Sequence, residues 1–192
     1  MKLVFATNNL HKLREVREIL GSNFEILSTE DINCREEIPE TCPTIEGNAS
    51  QKSHYLKNNY GYDCFADDTG LEIEALNGEP GVYSARYAGK NVSFEDNLLK
   101  VMSKMQGQTN RKARFKTVIS LILNGKEYFF EGIVNGTIAE NRNGQSGFGY
   151  DPVFIPEGYT VSYAQMSSEL KNAISHRGIA VGKLVDFLKN IK

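Results

Sequence analysis

The chain is poor in cysteine, with only Cys34, Cys42 and Cys64 and no C-x-x-C. An odd count without that spacing excludes a disulfide framework and a zinc knuckle. Long apolar runs are missing too. The opening stretch Leu3-Val4-Phe5-Ala6 is too short for a signal peptide or a membrane span. A cytoplasmic, reduced protein is therefore expected, and the glycosylation sequons at Asn48, Asn91 and Asn135 carry no meaning. Charge of one sign is not in excess: 22 basic and 24 acidic residues leave a net charge of −2. That balance gives no broad pull toward nucleic acid or an anionic membrane. There is no repeat, low-complexity segment, linker, Walker A loop or Ser/His/Asp set. What remains is a chain of 192 residues, 40% of them hydrophobic. It reads as one domain, residues 1–192, in which any anionic ligand is held by local charges.

The stretch that organises the rest is Ala66-Asp67-Asp68-Thr69-Gly70-Leu71. The apolar run Cys64-Phe65-Ala66 delivers two adjacent carboxylates, a hydroxyl and a glycine, which reads as a strand ending at an acidic loop. Neighbouring carboxylates are costly without positive charge beside them. Either an arginine or lysine supplies it, making an ion-pair knot, or a hard cation such as Mg2+ does.

Residues 3–6 read as a buried strand. Thr7-Asn8-Asn9-Leu10-His11-Lys12 follows, and then Leu10, Leu13, Val16 and Ile19 recur at helical spacing up to Gly21. This strand-to-helix junction is either a plain capping turn or an anion site made of free N–H groups and Lys12. A second strand is expected at 24–27 and an acidic, proline-interrupted stretch at 30–46. A helix carrying Lys52 is expected from Gly47, ending at Gly61. The alternation over 71–76 predicts a half-exposed strand. Phe94, Leu98, Val101, Met102 and Met105 predict a helix lining a core. Asn124-Gly125 between two β runs predicts a hairpin, with Arg111, Lys112, Arg114 and Lys116 as a solvated face. A short strand follows at 136–139. The glycine-rich loop Gly144–Pro152 carries Phe148 and Tyr150 as candidate stacking rings. Ser175-His176-Arg177 is expected just before a last helix, with Lys171 nearby. The class is α/β with a mixed sheet.

Read together, Thr7-Asn8-Asn9-Leu10-His11-Lys12, Ala66-Asp67-Asp68-Thr69-Gly70-Leu71, Ser146-Gly147-Phe148-Gly149-Tyr150-Asp151-Pro152-Val153-Phe154 and Ser175-His176-Arg177 resemble the inosine triphosphate pyrophosphatase family. The resemblance runs in order through nearly the whole chain and includes residues 80–89. It implies an elongated mixed α/β fold of two lobes around a central curved sheet, with a cleft between the lobes. It also implies a homodimer, Mg2+ dependence, and hydrolysis of ITP, dITP and XTP to monophosphate and pyrophosphate.

Carried over residue by residue, the resemblance makes Thr7, Asn8, Asn9, Leu10, His11 and Lys12 the triphosphate grip. Asp68 becomes metal ligand and proton acceptor, Asp67 its supporting carboxylate and Thr69 a substrate hydroxyl. Glu40 matches a second metal ligand. Phe148, Gly149, Tyr150 and Asp151 match the base loop. Lys171, His176 and Arg177 match base and phosphate contacts. Gln165 departs from the family's usual glutamate. Two rivals stay open: a Maf-type pyrophosphatase acting on pyrimidine or modified nucleotides, and a non-catalytic nucleotide or RNA-binding module using residues 111–116. The enzyme reading expects the acidic oxygens near residue 68 and the basic groups near both chain ends to meet around one polyphosphate.

Overall fold

The structure is a computed structural model that describes residues 1–21 and 24–191. Its strands are β1 (Lys2–Phe5), β2 (Glu25–Leu27), β3 (Cys64–Ile73), β4 (Pro80–Gly81), β5 (Lys112–Leu123), β6 (Lys126–Ile138) and β7 (Phe154–Pro156). They form one mixed sheet of order β2-β1-β3-β5-β6-β7, with β4 paired to β3. Five α-helices occur among the described residues: α1 (Leu10–Leu20), α2 (Ile45–Tyr60), α3 (Phe94–Lys104), α4 (Ser168–Ile174) and α5 (His176–Asn190). The expected α/β class with a mixed sheet is what forms. None of these helices is long and apolar enough to cross a membrane.

By packing, the chain divides into two compact units. Unit 1 holds Met1–Asp68, Thr117–Gly132 and the chain from Arg177 onward; unit 2 holds Thr69–Lys116 and Ile133–His176. The divisions fall inside β3, β5 and β6 and at the start of α5.

In unit 1, β1 runs parallel to both β2 and β3, pairing Leu3 with Ile26 and Phe5 with Phe65. Its continuous apolar run fits a strand covered on both faces. One face packs Phe5 and Phe65 against Leu13, Val16 and Leu20 of α1 and Val181, Leu184 and Leu188 of α5. The two phenyl rings stack at 4.6 Å. The other face packs Val4, Cys64 and Ala66 against Leu56 of α2 and Ile32, Cys34 and Ile38. Leu10, expected on the buried stripe, is 71% exposed. It is the first helical residue after the cap, and Leu20 completes the stripe instead. All three cysteines are free thiols. The Asn124-Gly125 turn forms as expected, with φ of 50° and 76°, the geometry that suits the twist of the flanking strands.

In unit 2, α3 packs Leu98 and Val101, with Met105 just past its end, against Leu71, Ile73, Phe115, Phe154 and Tyr163. Three expectations are corrected here. The strand expected at 71–76 is the tail of β3, and Glu74–Leu76 is a 3-10 turn. The strand expected at 136–139 is the end of the long β6. Phe94 is 43% exposed rather than core. Arg111 is not merely solvated either: its guanidinium donates to the carbonyls of Ile138, Ala139 and Met105 and so holds the strand ends together.

Candidate active site

Asp67 and Asp68 lie inside β3, not at its end, and Gly70 continues the strand instead of turning it. The expectation of a strand end is corrected because the carboxylates are matched by partners distant in sequence. Successive strand residues face opposite sides. Asp67 shares the face of Phe65, toward α1 and α5; Asp68 shares that of Ala66, toward α2.

Asp67 is 1% exposed. It accepts from Lys12 Nζ at 3.0 Å and from Arg177 Nε at 3.2 Å. Arg177 Nη1 also pairs with Glu15, one turn along α1 from Lys12. Burial pushes the Asp67 carboxyl up, but the charges of Lys12, Arg177 and Lys52 overcome this and hold it far below the usual range. The ion-pair alternative thus holds for Asp67. Burial of Lys12 outweighs the attraction of Asp67 and lowers its ammonium pKa. Burial would also lower the Arg177 guanidinium, but Asp67 and Glu15 reverse the direction.

Asp68 differs. It accepts from Asn48 Nδ2 at 3.1 Å. Burial raises its pKa, opposed by Lys52 and Lys12, while the neighbouring charge of Glu40 raises it further; the net direction is up. Lys52 pairs with Glu40. Burial disfavours the Lys52 ammonium, yet Glu40, Asp68 and Asp67 together keep it above the ordinary lysine value. Unit 1 therefore gathers two lysines, two strand carboxylates and a loop carboxylate. Among the described residues no cluster of three or more His, Cys, Asp and Glu could hold a metal.

The Thr7–Lys12 segment is a cap. Asn9 Oδ1 accepts from His11 N at 3.0 Å and Lys12 N at 3.2 Å. Thr7 Oγ1 accepts from Asn9 N, and Asn8 Oδ1 accepts from the Thr29 hydroxyl. Leu10 and His11 are exposed. The capping alternative is what forms: these two amides are engaged by Asn9, and the Lys12 ammonium points to Asp67. A cavity of about 720 Å3 in unit 1 has Thr7, Asn8, Leu10, Thr29 and Arg35 among its walls, but not Lys12, Asp67 or Asp68.

Unit 2 carries the other group. Lys171 lies on α4, a helix the sequence reading missed, and its ammonium meets Asp151 Oδ2 at 2.6 Å. The same ammonium stands 5.1 Å from the centroid of the half-buried Phe148 ring. Phe148 N donates to Asp151 Oδ2. Tyr150 is not a stacking ring: it is 5% exposed and its hydroxyl donates to the Ser84 carbonyl. His176 is 4% exposed and stacks on Phe115 at 4.3 Å. It opens α5 rather than preceding it, as does Arg177. Gly149 has φ 63°, and Thr69 is half-buried. Gln165 caps its own 3-10 turn by accepting from Ser162 N. Gly147 has φ 78°, and a Cβ there would lie 2.1 Å from Asp151 Oδ2. Gly147→Ala is expected to push Asp151 off Lys171 and cost about 1–3 kcal/mol, measurable by urea denaturation.

Sequence reasoning passed over Asn48, Glu15 and the pairing role of Lys52. Asn48 and Lys52 were detectable as polar residues at i and i+4 on the face of α2 that Ala49, Ser53 and Leu56 mark as buried. Their partners were not.

Residues 3–187 match the profile of the Ham1 family. A dITP/XTP pyrophosphatase of Flavobacterium johnsoniae is 55% identical over 192 residues, covering 100% of both chains. One from Porphyromonas gingivalis is 54% identical over 188 residues, covering 97% of each. Among solved structures, the Staphylococcus aureus Ham1 protein matches with a TM-score of 0.90 and 39% identity, covering 100% of both chains.

Proposed function

We propose, on the premise that this chain belongs to the Ham1 family, that it hydrolyses dITP, XTP and ITP to the monophosphate and pyrophosphate. The observation that carries the reading is Asp68: a buried carboxylate of raised pKa, set among Lys52, Lys12 and Glu40. A raised carboxyl pKa brings a base closer to working pH. Asp68 takes the proton of the water that attacks the α-phosphorus. Lys12 and Lys52 meet the negative charge of the phosphates, and Asp67 with Arg177 fixes Lys12 from behind. No covalent nucleophile is required.

Mg2+ fits this donor set. It takes oxygen ligands, commonly one or two carboxylates with the rest from water and phosphate; Glu40 and Asp68 supply two. Bound there, it would neutralise phosphate charge and polarise the α-phosphorus.

Unit 2 supports the base preference on its own. Lys171 donates and Asp151 accepts, side by side, next to the Phe148 ring. A 6-oxopurine presents an acceptor at O6 and a donor at N1; adenine presents the reverse. A site built for one pattern rejects the other by roughly 10^4-fold, because buried polar groups are left unpaired. Assembly as a homodimer and residence in the cytoplasm belong to the same reading and rest on the motif resemblance.

Purified protein given ITP and Mg2+ should yield IMP and pyrophosphate; release of orthophosphate would overturn the reading, and preference for dTTP or UTP would redirect it. In the metal-free protein the Asp68 carboxyl should titrate above the ordinary aspartate value of about 3.9, because burial and the charge of Glu40 raise it. NMR titration of that carboxyl without Mg2+ checks this, and a value at or below the ordinary one would overturn the raised direction.

A further inference from the structure

The reaction read above needs two carboxylates held at fixed separation, yet Glu40 lies on an irregular segment and Asp68 on a central strand. We propose that Asn48 is the positioning residue that ties them together. The inference rests on the proposed function for the role of the two carboxylates, but its geometry does not. Asn48 is 0% exposed. Its Nδ2 donates to Asp68 Oδ2 at 3.1 Å, and its Oδ1 accepts from Cys42 N at 2.9 Å. The orientation of the amide is forced, because an ionised carboxylate only accepts and a backbone N–H only donates.

One side chain therefore joins the strand carboxylate to the segment that carries Glu40, two residues before Cys42. Neighbours on α2 reinforce that segment. Gln51 Oε1 accepts from Thr41 N at 2.8 Å and its Nε2 donates to Thr41 Oγ1 at 2.8 Å. Lys52 pairs with Glu40 itself. Asn48, Gln51 and Lys52 stand at i, i+3 and i+4, the positions that share one helix face. Lys52 feels the charge of both carboxylates, while Asn48 ties the segment to Asp68 by a directed hydrogen bond at each end of its amide. Partners that orient ligating carboxylates typically carry 10- to 100-fold of metal affinity or activity.

The test uses Asn48→Leu, which keeps the shape and removes both bonds, and Asn48→Asp, which keeps an oxygen for Cys42 N and removes the donor to Asp68. Gln51→Ala loosens the segment without touching Asp68. Steady-state turnover of ITP with Mg2+ gives kcat and KM. Mn2+ titration of the nucleotide-free protein by electron paramagnetic resonance gives a readout independent of turnover. Melting temperature records folding. The expected result is a loss of about 10- to 100-fold in kcat for both Asn48 variants, with a smaller change in KM, weaker Mn2+ binding, and a smaller effect from Gln51→Ala. Asn48 variants that melt lower but keep kcat and Mn2+ affinity within twofold of wild type would overturn the proposal, since a purely structural role predicts that pattern. Should Asn48→Leu not fold, Asn48→Asp and Gln51→Ala still decide: equal losses in the two would assign the effect to the segment alone and overturn it. Wild-type protein that binds Mn2+ without turning over ITP would reject the function while leaving the Mn2+ comparison to judge Asn48; wild type that does neither would reject both.

Discussion

Asp68→Asn should release pyrophosphate from ITP at roughly one-thousandth of the wild-type rate or less, and should melt at a higher temperature than wild type. The first half follows from removing the proton acceptor. The second follows from the direction of the Asp68 pKa. Burial disfavours the ionised form, and Glu40 adds to that, so the folded-state pKa lies above the unfolded one. A group shifted this way adds stability below its unfolded pKa, and that contribution is lost as pH rises through the folded value. At neutral pH the ionised carboxylate is a liability. Asparagine keeps the shape, and its carbonyl can still accept from Asn48 Nδ2. Calorimetric scans at pH 7 and a pyrophosphate assay test both halves. Residual activity within tenfold of wild type would remove Asp68 as the base. A lower melting temperature would mean that attraction to Lys52 and Lys12 exceeds the burial penalty.

Asp67→Asn, one residue earlier, should do the opposite to stability and lose about 3–5 kcal/mol. Asp67 neutralises two cations, the half-buried Lys12 and the buried Arg177, and is 1% exposed. Glu15 remains for Arg177, but Lys12 loses the carboxylate nearest its ammonium. The sign reverses because this folded-state pKa is depressed. Stability from Asp67 is present above the unfolded value, about 3.9, and is lost only as pH falls through the lower folded value. Urea unfolding at pH 7 measures the loss. A change below about 1 kcal/mol would show that water, not the carboxylate, compensates the two cations.

These opposed expectations for adjacent, identical residues show where sequence reading succeeds and where it stops. The Asn124-Gly125 hairpin was legible because its cause is local: two residues that tolerate positive φ between two β runs. The first apolar run and the α1 stripe were legible for the same reason, by periodicity. The course of β3 was not. Asp67 and Asp68 interrupt the apolar pattern, and what keeps them in the strand comes from 55 and 110 residues away in the case of Lys12 and Arg177. No local window contains those partners. Gly136 likewise broke the pattern of β6, although the strand runs on past it to pair with β7. The candidate site residues were legible as motifs. The local contacts of some were not: Tyr150 is buried with its hydroxyl donating to the Ser84 carbonyl, while the cap formed by Asn9 was one of two readings of its segment. Asn48 carried no signal beyond a polar residue on a buried stripe.

The pairing of β1 with β3 fixes where Cys64 and Phe65 stand, and the pleat then dictates which way every later side chain looks. Adding or deleting one residue between Phe65 and Asp67 would therefore turn the two aspartates over. With one residue added, the aspartate meant for Lys12 and Arg177 would stand where it faces Asn48, and its neighbour would move on to the opposite face, two places past the position the first one left. Thr69 and Leu71 would be inverted with them. Homologous chains should accordingly tolerate almost no length variation across these few positions.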